Sequence, residues 1–206
     1  MRTSQTTALF SGLLSAVLFT PLFAQGPNAL SSGIEWTQYR GNLAGTGFSP
    51  LTQINQQNVA NLESAWSYSL LANALNTDEN PRAPNSQVTP IVVDGVMYLP
   101  AADRIIALDP LSGEELWTHR VSMSAASRRG VSYWPGDNGS RPRILYTAGR
   151  RLVALDAATG ELASEFGDSG EIDMQIPYNS VAMVFENTVI VGANTPRGAE
   201  GGIGNA

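Results

Sequence analysis

The chain has 206 residues, 43% of them apolar and 15% charged, with 20 Gly, 12 Pro and no Cys. That supports one domain of ordinary size with a real core, and it excludes a wholly disordered chain. All 12 basic residues are Arg against 18 acidic ones, a net charge of −6 that is a poor match for a nucleic-acid backbone, and the lack of Cys excludes disulfides, thiolate metal sites and a thiol nucleophile.

Arg2 precedes a mainly apolar stretch over 8–24, broken by Ser11, Gly12, Ser15 and Pro21. This pattern predicts a secretory signal peptide over 1–24 and a mature chain from Gln25. An uncleaved anchor is the competing reading, but the stretch is shorter than the roughly 20 apolar residues of a membrane span. Residues 55–63, NQQNVANLE, predict one short polar turn of helix ahead of a strand over 64–70. The Asn- and Pro-rich stretch 73–86 reads as a long loop leading into a strand over 88–93. Asp94-Gly95 then marks a tight hairpin into the strand 96–99.

A repeat follows. RIIALDPLSGEELW (104–117) over RLVALDAATGELAS (151–164) matches Ala-Leu-Asp and Gly-Glu at an offset of 47 residues, and strand 96–99 falls over 143–146 in the same frame. A third strand, 188–192, comes about 45 residues later. Short strands recurring at this period are the mark of β-propeller blades. In each ALDxxTG-type turn, Asp109 or Asp156 is placed to accept backbone N–H bonds, Gly113 or Gly160 supplies a positive φ, and Trp117 packs between blades. Residues 25–206 hold about three blades at this period, fewer than the four to eight of a closed propeller, so the chain reads as the N-terminal part of a longer protein. His119, the single histidine, reads as a partly exposed strand residue, and Asn138-Gly139-Ser140 as a turn. Trp36, Trp66 and Trp134 read as core aromatics, with Trp134 also a candidate to border a cavity beside RRGVSYW.

The segment 36–70 (WTQYRGNLAGTGFSPLTQINQQNVANLESAWSYSL) resembles the opening of the pyrroloquinoline-quinone (PQQ)-dependent dehydrogenases. So do QVTPIVVDGVMYLP (87–100), ALDPLSGEELW (107–117), RRGVSYWPGD (128–137) and the ALDAATG and FGDSGEIDM segments within 154–174. The resemblance implies an all-β, eight-bladed propeller that holds PQQ and Ca²⁺ near its axis and oxidises alcohols, sugars or polyols in the periplasm. It implies hydride transfer to the quinone, with electrons leaving through a cytochrome c or a membrane quinone. Arg129 matches the arginine that pairs with PQQ near its quinone oxygens, a task suited to a permanently charged planar fork of donors, while Arg128 reads as its solvent-facing neighbour. Gln87 stands where methanol-type enzymes have a cofactor-contacting glutamate, and Asn179 where the family often has a threonine. Glu200 resembles a Ca²⁺-ligating glutamate. The methanol-type pair of adjacent cysteines is replaced by Met123-Ser124-Ala125-Ala126-Ser127, and RGVSY also resembles the glucose and polyol branch. The resemblance places the aspartate base, the tryptophan floor and the other Ca²⁺ ligands beyond Ala206. The rival reading is a non-catalytic propeller of the same repeat type, an envelope scaffold, which would leave PQQ unbound. The Gly-rich tail 192–204 follows a strand, but no helix pattern follows it, so it makes a poor nucleotide loop.

Overall fold

The computed structural model describes residues 35–70, 87–122 and 124–194. The 1–24 segment, the 73–86 loop, Glu200 and most of the Gly-rich tail lie outside these residues.

Strands β1 (Ile91–Val93), β2 (Val96–Pro100), β3 (Arg104–Leu108) and β4 (Glu115–Arg120) form an antiparallel meander in sequence order. A second meander repeats it with β5 (Ser132–Trp134), β6 (Arg143–Ala148), β7 (Arg151–Asp156) and β8 (Glu171–Asp173). The hairpin of β9 (Met183–Phe185) and β10 (Thr188–Ile190) opens a third sheet. The starts of β2 and β6, and of β3 and β7, are each separated by the repeat offset read from the sequence. Asp94 (φ 49°) and Gly95 (φ 76°) both take left-handed backbone, which lets two residues close the β1–β2 hairpin with the twist of its strands.

The middles of the central strands, 105–108 in β3 and 152–155 in β7, are apolar throughout because they are buried on both faces. In β3, Ile105 and Ala107 face the second sheet, whereas Ile106 and Leu108 turn the other way, toward Trp66, Tyr68 and Met97. In β7, Val153 and Leu155 return to the first sheet, and Leu152 and Ala154 face Val184, Val189 and Val191 of the third. Ile105 and Leu152, equivalent in the repeat, thus both face the following sheet. The same unit stacks in one direction, as propeller blades do.

Tryptophans lock the stack. Trp117 Nε1 donates to Ala157 O at 3.0 Å, and Trp66 Nε1 donates to Pro110 O at 3.1 Å. Each acceptor immediately follows the aspartate of a repeat turn, so Trp66, read from sequence as a core aromatic, is the counterpart of Trp117. The aspartates act within their own turns: Asp109 Oδ1 accepts from Leu111 and Ser112 N–H at 2.8 and 2.9 Å, and Asp156 Oδ1 from Ala158 and Thr159 N–H at 2.9 and 3.1 Å. Those bonds, Ser112 first, hold the Asp109 carboxyl below its ordinary value. The predicted helical turn is a single 3₁₀ turn, Val59–Asn61. The segment 64–70, predicted as a strand, joins no ladder among the described residues; Trp66, Tyr68 and Leu70 dock side-on against the first sheet instead. The ladder of the predicted 88–93 strand begins only at Ile91, because the backbone before it bonds to the segment leading into β5.

Candidate functional site

Three stretches of chain enter the first strands of the three sheets: 87–90 into β1, 126–131 into β5 and 179–182 into β9. They meet. Gln87 N–H donates to Arg128 O at 3.3 Å and Thr89 N–H to Arg129 O at 2.9 Å. Ser127 Oγ donates to Asn179 O at 3.2 Å and accepts the Arg129 N–H at 3.3 Å. The residues singled out from sequence on three separate blades, Gln87, Arg129 and Asn179, therefore share one backbone-bonded rim.

The local sequence forces the two arginines out of it. Ser127 on one side and Gly130, Val131 and Ser132 on the other are buried, and the chain bends at Arg128 and Arg129, which are both exposed. Among the described residues neither guanidinium makes an ion pair. Gln87 and Asn179 are exposed as well. Gly130 is a packing requirement, since a Cβ there would lie 3.0 Å from Thr89 O and 3.2 Å from a Val181 methyl. The rim thus offers two unneutralised planar cations flanked by two carboxamides, a donor set suited to an anionic, oxygen-rich planar molecule. A PQQ-type tricarboxylate fits that chemistry.

Other predicted residues fall elsewhere. Trp134 donates its Nε1–H to Asn187 Oδ1 at 3.0 Å and lies under the Arg143 guanidinium at 4.9 Å, packed between the second and third sheets. His119 lies across from the second repeat turn, with Nδ1 2.9 Å from Gly160 O and its ring 6.1 Å from that of Tyr146. Because a carbonyl only accepts, Nδ1 carries the proton, and burial lowers the pKa of the ring. A cavity of about 210 Å³ lined by Tyr39, Arg40, Leu43, Tyr133 and Val181 opens between the 37–45 segment and the second and third sheets. It was not foreseen from the sequence. Its lining comes from distant stretches with no shared motif. Among the described residues no cluster of three metal-ligating side chains occurs, and no helix is long and apolar enough to cross a membrane.

Residues 36–201 match the family described as PQQ: glucose/ethanol/alcohol dehydrogenase, β-propeller domain. The chain is 32% identical over 170 residues to the quinoprotein glucose dehydrogenase A of Acinetobacter calcoaceticus, covering 70% of this chain and 21% of that protein. It is 30% identical over 209 residues to the 1-butanol dehydrogenase (cytochrome c) of Thauera butanivorans, covering 97% of this chain and 28% of the relative. The crystal structure of the quinohemoprotein alcohol dehydrogenase from Comamonas testosteroni superposes with a TM-score of 0.60 at 30% identity, over 77% of this chain and 23% of that one. The chain thus spans between a fifth and a third of the length of the relatives it matches. By fold, repeat and family match, it belongs to the PQQ glucose/ethanol/alcohol dehydrogenase β-propeller domains, and its described residues form two whole blades and the opening hairpin of a third.

Proposed function

We propose that this chain is the N-terminal part of an exported PQQ-dependent dehydrogenase that oxidises the CH–OH group of an alcohol, sugar or polyol, and that its rim holds one edge of the cofactor. The observation that carries this reading is the pair of exposed, unneutralised arginines at 128 and 129, bonded through their backbone to the Gln87 and Asn179 segments. Arg129 donates its planar fork to the anionic and quinone oxygens on one side of the cofactor. Gln87 and Asn179 supply carboxamides that both donate and accept, which suits a group whose charge changes on reduction. Gly130 keeps the backbone close enough for the Thr89 N–H to donate to Arg129 O and hold the bend beneath the arginine. When bound, PQQ supplies a two-electron acceptor and Ca²⁺ a Lewis acid. Glu200 is the Ca²⁺ ligand carried over by resemblance.

The reading further proposes a periplasmic location after removal of residues 1–24 and a cytochrome c or membrane quinone as electron acceptor. Dye reduction by the full-length protein reconstituted with PQQ and Ca²⁺ tests it. Turnover with a primary alcohol, glucose or a polyol is expected, and none when either PQQ or Ca²⁺ is withheld. A full-length protein that neither binds PQQ nor reduces dye would contradict the reading and favour a scaffold. The 206-residue chain by itself is expected to show no PQQ-dependent dye reduction.

A further inference from the structure

Among the described residues four polar or charged side chains are buried: Arg104, Ser127, Ser132 and Thr147. The three hydroxyls do one job. Ser127 Oγ donates to Asn179 O at 3.2 Å, Thr147 Oγ1 to Ser180 O at 2.8 Å, and Ser132 Oγ to Ala182 O. The carbonyl between them, Val181 O, faces the Tyr178 hydroxyl at 3.5 Å. The 179–182 segment belongs to no strand ladder, so its carbonyls take donors from outside a ladder. The second blade supplies them from three separate points, its lead-in segment, β5 and β6.

Among the described residues this seam occurs between the second and third blades. One repeat earlier, Thr147 corresponds to Pro100, which has no hydroxyl, and the first and second blades are joined there by the backbone bonds of Gln87 and Thr89. Of the three hydroxyls, Ser127 alone also touches the arginine segment, accepting the Arg129 N–H while donating to Asn179 O. Its own N–H is held by Thr147 O at 2.8 Å. One oxygen atom therefore fixes the distance between the backbone that carries Arg129 and the backbone that carries Asn179.

We propose that Ser127 is a positioning residue for the cofactor: its hydroxyl sets the spacing of Arg129 and Asn179, so that both engage one ligand. This rests on the reading of the rim as the PQQ edge. Removing the hydroxyl leaves the Ser127 backbone bond and the blade intact but frees the two rim segments to drift. A polar site loses affinity when its donors are no longer held in place. Ser132, at the other end of the seam, makes a comparable buried bond to Ala182 O with no contact to the Arg129 or Asn179 backbone, and so separates positioning from folding.

The test measures PQQ affinity by equilibrium dialysis, in the presence of Ca²⁺, for the full-length wild type, Ser127→Ala, Ser127→Thr and Ser132→Ala, together with the Tm of each apoprotein. Ser127→Ala is expected to weaken binding about tenfold. Ser127→Thr should stay within about threefold of wild type, and so should Ser132→Ala despite a comparable fall in Tm. If Ser127→Ala fails to fold, Ser127→Cys carries the same expectation, since it preserves the bulk and weakens the donor. Wild-type affinity in Ser127→Ala (or in Ser127→Cys where the alanine variant does not fold), or equal loss in Ser132→Ala, would overturn the positioning role while leaving the rim reading intact. A wild-type protein that does not bind PQQ would overturn both.

Discussion

At Gly113 and Gly160 two demands meet on one atom. Both take left-handed backbone, with φ of 73° and 72°, and both lie beneath an indole. A Cβ at Gly160 would fall 2.5 Å from Trp117, and one at Gly113 2.6 Å from Trp66. Glycine there serves the turn and also the seating of the tryptophan from the preceding segment. Gly95 shares the first demand without the second, since a Cβ there meets nothing within 4 Å. Gly95→Ala is therefore expected to cost about 1 kcal/mol of backbone strain. Gly160→Ala should cost at least about 2–3 kcal/mol, because Trp117 must move as well. Urea midpoints at an unchanged m-value measure the difference. Equal midpoints for the two variants would show that the indole seat contributes nothing.

Between elements, the joint of the first and second blades is closed from several sides. Trp117 Nε1 and the Tyr98 hydroxyl converge on Ala157 O at 3.0 and 3.2 Å, and His119 reaches Gly160 O on the same turn. Burial pushes the hydroxyl of Tyr146, whose ring lies 6.1 Å from that of His119, up to about 12, so the tyrosine stays neutral throughout the working range. Burial also lowers His119 below its ordinary value of 6.5, which sets the sign of its linkage. The unfolded chain binds this proton more tightly than the folded one, so the stability tied to the neutral ring is present above about pH 6.5 and is lost as the pH falls through the folded pKa. With a single histidine in the chain, replacing it isolates the effect. His119→Gln should flatten the dependence of the urea midpoint on pH between about 5 and 7. An unchanged slope in the variant would assign that dependence to other groups.

Much of this element structure was legible in advance. Repeat spacing located β2, β3, β6 and β7, and the Asp-Gly dipeptide located the β1–β2 hairpin, because both signals reside in consecutive residues. The segment 64–70 misled because its alternating apolar side chains serve docking as well as they would serve a ladder. Trp66 was not recognised as the partner of Trp117, since the two are 51 residues apart and fall outside the repeat offset. The hydroxyl seam carried no signal at all. Serine and threonine are common surface residues, and only the fold reveals that three of them face the same run of carbonyls.

Over the whole molecule, blades that each face their successor through equivalent residues place their lead-in segments side by side. That stacking brings Gln87, Arg129 and Asn179, spread over 92 residues of sequence, to one rim. Their convergence was foreseen only through resemblance to a family, since no periodicity or spacing links a Gln, an Arg and an Asn on different repeats. Glu200 lies outside the described residues, and the metal side of the proposal rests on it. The arginine carries the central claim, and PQQ binding to the full-length protein with Arg129 replaced tests it most directly. Equilibrium dialysis with Ca²⁺ present should give stoichiometric binding for the wild type. Arg129→Ala should weaken it by about 100-fold or more, and Arg129→Lys, which restores charge without the planar fork, should recover only part of the loss. Wild-type affinity in Arg129→Ala would contradict the account.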